Sequence, residues 1–270
     1  MTMKIIALIG LALGLFLVHT AGTAETVPHS PVLVELFTSE GCSSCPPADA
    51  LLKQLDAAND PQSPQVIVLS EHVDYWNSIG WKDPYSSAAF SERQGVYAQK
   101  FNLNSVYTPQ MVVNGTAEFV GSDGREAKAK IAASGAHQAA VPVSLFAVSP
   151  GIVRVEIEKA SPGSISGSAD VIVAVASNET STQVTSGENG GRKLHHVAVV
   201  RTMKTVGEIR DGQHFSKEID LGKNSGGLRI VAWVQQQGQG RILGAAMRSM
   251  AVTSAPVNSD TVTSEPRAAK

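Results

Sequence analysis

The sequence predicts an α/β N-terminal domain followed by an all-β, sandwich-like C-terminal domain. Three observations carry this. Apolar runs alternate with helix-period segments over the first half of the chain, the pattern of strand–helix–strand units. Six short strand-like segments, parted by turns such as Ser161-Pro-Gly163 and Asp211-Gly212, fill the second half. The only two cysteines, Cys42 and Cys45, stand at the first strand–helix junction.

The elements follow in order. Lys4, the apolar run Ile5 to Val18 and the small residues Ala21-Gly-Thr-Ala24 read as a secretory signal peptide over residues 1–24. The run is short for a membrane span, which needs about 20 residues. An exported protein, periplasmic or extracellular, is therefore expected. Val32 to Phe37 is apolar almost throughout and reads as a buried strand. Ala48 to Asn59 has Leu51, Leu52 and Leu55 at helical spacing. Val66 to Ser70 is a second buried strand, parallel to the first through a right-handed crossover. Ser87 to Phe101 reads as a helix with Phe90, Tyr97 and Phe101 along one face. Gln110 to Val113 and Glu118 to Val120 flank Asn114-Gly115, the pair that a two-residue type I′ hairpin turn favours. Ser122 or Asp123 then caps a helix running to about Ala140. The order β-α-β-α-β-β-α is thioredoxin topology, so the first domain is expected to be thioredoxin-like and to span 30–140.

The all-β domain is expected over 141–250, with strands at Val143–Val148, Ile152–Glu158, Ala169–Ala176, His195–Met203, His214–Ile219 and Leu228–Gln235. Residues 251–270 are rich in Thr, Ser, Pro and Ala, without aromatics or leucines. Such a segment buries too little to offset its ordering entropy and reads as a disordered tail.

Twenty-two basic and 24 acidic residues leave a formal charge of −2. That balance gives no basis for a nucleic-acid partner. A structural disulfide stabilises in proportion to the loop it closes, and a pair three residues apart closes almost none. The spacing points to chemistry instead. A free thiol ionises near pH ~8.5, and a helix N-terminus lowers that value by favouring negative charge. Cys42 is the candidate attacking thiolate and Cys45 the resolving thiol. Pro46 and Pro47 suit the first helical turn and place the helix start around Cys45 or Pro46.

Thr108-Pro109 precedes the hairpin at the place where a thioredoxin fold sets a cis-proline facing the dithiol, so these two residues are candidate substrate-binding groups. Eight of the fourteen aromatics lie between Tyr75 and Tyr107. They follow the second strand and emerge on the same sheet edge as Cys42, where open α/β sheets bind ligands. Trp76 is the candidate substrate-binding residue among them. Glu35, inside an apolar strand, and His72, at a strand end, are candidate proton-transfer groups. His195 and His196 point to opposite faces of a strand and read as structural.

The expected activity is thiol–disulfide exchange on protein or small-molecule thiols and disulfides, with a membrane redox partner as a further candidate and no cofactor. An alternative uses Cys42 and Cys45 as soft copper(I) ligands, with His72 as a third.

The segments Glu35–Asp49, His72–Trp76, Gly80–Pro84 and Tyr107–Gly115 together resemble an uncharacterised bacterial family of exported, thioredoxin-like proteins. Its members carry a domain of unknown function and a β-rich C-terminal part. The resemblance runs from about Val32 to Met250 and implies a thioredoxin fold without supplying a substrate. Against thioredoxin itself, Gly41 stands where a tryptophan precedes the first cysteine, and Leu36 stands where a buried acid is expected.

Overall fold

The computed structural model describes residues 30–58, 63, 65–136, 139–160, 162–222 and 227–250. The segments read as signal peptide and tail lie outside the described residues.

The chain starts as its hydrophobic pattern dictates. β1 (Val32–Thr38) and β2 (Val66–His72) pair in parallel from Val32 opposite Val66 to Thr38 opposite His72, joined by α1 (Pro46–Ala57). A short 3-10 turn (Tyr75–Ile79) leads to α2 (Ala88–Lys100), whose N-cap Ser87 accepts a hydrogen bond from the Ala89 amide. β3 (Gln110–Val113) runs antiparallel to β1 and turns into β4 (Ala117–Val120). Asn114 and Gly115 hold φ of 47° and 63° in that turn, the left-handed pair a type I′ hairpin requires. α3 (Gly124–Gly135) is capped by Asp123, whose Oδ1 accepts from the amides of Arg125 and Glu126.

Strand alternation sorts the core. Val32, Val34 and Leu36 pack with Ala48, Leu52, Ala127 and Ile131 on the α1 and α3 side. Leu33 and Phe37 turn to the opposite side, which α2 covers through Phe90 and Tyr97.

The remainder is β5 (Val143–Ser149), β6 (Ile152–Ile157), β7 (Ser168–Gln183), β8 (Lys193–Arg210), β9 (Phe215–Asp220), β10 (Leu228–Gln236) and β11 (Ile242–Ser249). β7 and β8 are much longer than the segments expected from the sequence. Their added residues, such as Ser177 to Gln183, are polar and partly exposed, so no apolar alternation marks them.

The expected fold class is overturned. The chain does not form an α/β thioredoxin-like N-terminal domain followed by an all-β sandwich. It is mostly β, with eleven strands and three α-helices among the described residues. One mixed eight-stranded sheet, in the order β11-β10-β7-β8-β2-β1-β3-β4, takes strands from both halves. β8 joins β2 where Val199 lies opposite Ser70. The physical reason is a shared core: Leu33, Ile67, Leu69 and Phe90 pack in one cluster with Ile172, Ala174, Val200, Val231 and Trp233. Apolar faces from both halves are buried against each other, so neither half closes alone. The second sheet has three strands, β5-β6-β9, and packs through Val153, Val155 and Ile157 on Val171, Val173, Ile230 and Val234.

Candidate functional site

Cys42 and Cys45 form a disulfide, with Cα atoms 5.4 Å apart. The turn that carries them leaves β1 at Ser39, whose carbonyl accepts from the Cys42 amide, and Cys42 in turn accepts from the Cys45 amide. Cys45 is the N-cap of α1 and offers no side-chain cap. Pro46 and Pro47 sit in the first turn, where a missing N–H removes nothing the helix would use. Neither cysteine is exposed, at 0 % each. Both sulfurs are covered by neighbouring loops, and that of Cys42 lies 3.3 Å from Ser44 Oγ.

Two of those loops carry the candidate substrate-binding residues. Trp76 Nε1 donates to Thr108 Oγ1 at 2.7 Å, so Trp76 and Thr108 are brought together. The Thr108–Pro109 bond is cis. Gly121 donates its amide to the Pro109 carbonyl, and a Cβ on Gly121 would lie 3.2 Å from Pro109 and 3.3 Å from Ala48. Gly121 thus lies against both Pro109 and the first turn of α1. Gly41, the departure noted above, also has a steric cause. A Cβ there would meet Trp76 Cβ at 3.1 Å, so the backbone of the dithiol turn lies against Trp76 with no room for a side chain.

A second layer of buried acids and histidines surrounds the turn. Asp49, in the first turn of α1, accepts from Thr38 Oγ1 at 3.0 Å. Glu40 accepts from Trp81 Nε1 at 2.9 Å and from His196 Nε2 at 3.2 Å, while His196 Nδ1 faces Asp49 at 3.6 Å. His72 Nδ1 pairs with Asp83 at 2.7 Å, and Asp83 also accepts from the Glu40 amide. The His72 and His196 rings meet edge to face at 4.8 Å. The buried His72 Nε2 has no hydrogen-bond partner. Burial disfavours charge on His196, yet the Asp49 and Glu40 carboxylates outweigh it and push its pKa up to about 10.

His72 is therefore placed in this cluster. Sequence reasoning missed Glu40, Asp49, Asp83 and His196 as its companions. Two of them were within sight, because Glu40 and Asp49 flank the cysteines. His195 and His196 do point apart, one exposed and one buried.

Glu35 is not brought to the dithiol side. Its side chain shares the α2 face with Leu33 and Phe37, away from α1, and accepts from Arg93 Nε and Tyr97 Oη at 2.6 Å each. Its expected place as a proton-transfer group beside the cysteines is corrected on that ground. Beside it, Glu71 is fully buried, with neither oxygen in a hydrogen bond and Arg93 Nε 3.7 Å away. Burial first, and then the negative charge of Glu35, raise the Glu71 pKa well above the carboxylate range. A raised folded-state pKa means the native state binds a proton that the unfolded chain releases above about pH 4.3. Stability is then lost as pH rises from there. Glu71→Gln is expected to abolish that loss and to match or exceed the parent stability at pH 7. Urea unfolding between pH 4 and 8 checks this, and a variant weaker by more than ~1 kcal/mol at pH 7 contradicts it.

The copper alternative finds no support in this geometry. His72 Nδ1 is engaged by Asp83, and among the described residues no three His, Cys, Asp or Glu side chains are grouped to hold a metal ion.

A family model described as "Protein of unknown function (DUF1223)" matches residues 33–235. No curated protein matches the chain. The chain is similar to the crystal structure of protein AGR_C_4864 from Agrobacterium tumefaciens, at 32% identity and a TM-score of 0.66, over 81% of this chain and 93% of that one. It also shares its fold with HBP35 of Porphyromonas gingivalis, at 17% identity and a TM-score of 0.58, over 88% of this chain and 80% of that one.

Proposed function

The chain belongs to the family of unknown function DUF1223, and from the geometry of its disulfide we propose that it is an exported thiol–disulfide oxidoreductase. The observation that carries this reading is the placement of the Cys42–Cys45 bond. It closes a loop too short to stabilise the fold appreciably, and it sits at a helix N-terminus where a thiolate is favoured. Its substrates are protein or small-molecule thiols, and a membrane redox partner resets it.

The reaction runs as two exchanges. A partner thiolate attacks Cys42 Sγ, the S–S bond breaks, and Cys45 leaves with the electron pair and takes up a proton. The partner's second thiolate then attacks the partner sulfur of the mixed disulfide and expels Cys42 as a thiolate. Two electrons pass from the partner dithiol to Cys42 and Cys45, one of its two protons ends on Cys45 and the other in solvent, and the partner becomes a disulfide. Run backwards, the same steps reduce a partner disulfide. Trp76 and Thr108, held together by their hydrogen bond, form the wall against which the partner chain lies.

Cys42→Ser is expected to lose exchange activity. Cys45→Ser, expressed with its own export signal, is expected to accumulate mixed disulfides that dithiothreitol releases. A Cys45→Ser protein that captures no partner, in cells whose other exported thiols exchange normally, rules the reading out.

A further inference from the structure

The hairpin tip between β7 and β8 reaches across the molecule to the cysteine turn. Asn189 is fully buried there, 147 residues along the chain from Cys42. Its Nδ2 donates to the carbonyls of Glu40 and Cys42, at 2.9 Å each, while its Oδ1 accepts from Arg192 at 2.8 Å. Glu188 accepts from the Ser43 amide at 3.0 Å. Ser186 Oγ donates to the Gly80 carbonyl at 2.6 Å. The backbones of Gly80 and Gly187 meet closely, each with positive φ, and a Cβ on Gly187 would lie 3.1 Å from Trp81 Cβ. Two glycines facing each other give the tip a fitted seat.

The seat is polar and shallow. Residues 185–188 and 190–193 are exposed, Val184 is buried at the base of the tip, and the contacts with the cysteine turn and Gly80 are hydrogen bonds. Yet both cysteines are shut from solvent while it is seated. Segments with few buried apolar contacts open locally at low cost.

Resting on the exchange activity above, we propose that the β7–β8 tip is a latch that sets which thiols reach the Cys42–Cys45 disulfide, with Asn189 as its positioning residue. Small thiols react only as fast as the tip opens by itself. A protein thiol reaches Cys42 when its own segment takes the Ser43 amide from Glu188 and lifts the tip. Substrate selection thus lies in the β7–β8 hairpin, far in sequence from the cysteines.

The test is the rate at which excess glutathione opens the disulfide of the purified full chain, read by thiol release. Asn189→Ala is expected to react at least tenfold faster than the parent, and Glu188→Ala, on an exposed side chain, at least threefold faster. If Asn189→Ala fails to fold, Glu188→Ala decides alone. Rates within a factor of two of the parent in every folded variant overturn the latch. The two readings fail separately: faster opening without partner capture by Cys45→Ser keeps the latch and removes the oxidoreductase. Partner capture with unchanged rates does the reverse.

Discussion

Arg93→Met is expected to destabilise the protein by about 3–5 kcal/mol at pH 7, the range for breaking a buried ion pair from one side. Arg93 on α2 joins three strands at once. Its guanidinium holds Glu35 of β1, approaches Glu71 of β2, and donates to Tyr97 and to Gln235 of β10. It also lies over the rings of Tyr97 and Trp233, at 5.2 and 5.6 Å. Burial works against its charge, but Glu35, Tyr97 and Glu71 together hold the guanidinium firmly protonated. Methionine fills the volume and leaves two carboxyl groups side by side with no cation. Arg93→Lys is expected to fall between, because a single ammonium cannot fork between Glu35, Tyr97 and Gln235. Urea midpoints at pH 5 and 7 measure all three proteins. A loss under ~1 kcal/mol for Arg93→Met would mean that hydrophobic packing, and not this network, joins the two halves.

That junction is also what the sequence concealed. The local order from β1 to α3 was legible because each step has a short-range signal: apolar runs for β1 and β2, leucines at helical spacing in α1, Asn114-Gly115 for the hairpin. The pairing of β8 with β2 has no such signal. It depends on Ser70 meeting Val199, far apart in the chain, and on Ile172, Val231 and Trp233 completing the core under Leu33 and Leu69. A buried strand edge looks the same in sequence whether it ends a sheet or continues one. The same limit applies to the site. Cys42, Cys45, Trp76, Thr108 and Pro109 lie in local motifs and could be picked out. Asn189, Glu188 and His196 arrive through the β7–β8 hairpin and look like ordinary turn and strand residues. Glu35 was misplaced for a different reason, since alternation within β1 does not say which side of the sheet α1 takes.

The cluster beneath the cysteines is expected to make stability fall as pH rises from about 6.5 to about 10. His196 has its ordinary pKa of 6.5 in the unfolded chain and about 10 in the fold. The native state therefore keeps a proton that the unfolded chain gives up. Its contribution is fully present below pH 6.5 and is lost as the pH rises through the folded value. His196→Gln is expected to remove this slope and to cost about 3–5 kcal/mol at pH 7, because Glu40 and Asp49 then stay buried without their cation. The gap from the parent is expected to close near pH 10. Thermal or urea unfolding across that range, with Cys42 and Cys45 kept oxidised, gives the slope directly. The result also bears on the disulfide. Glu40 and Asp49 flank the cysteine turn, so a cation between them keeps that region from gathering negative charge. If the slope is the same in both proteins, His196 is neutral in the fold and the two acids face the cysteine turn uncompensated. A thiolate would then form there against their field, and the reduced form would be less favoured than the position of Cys45 at a helix N-terminus implies.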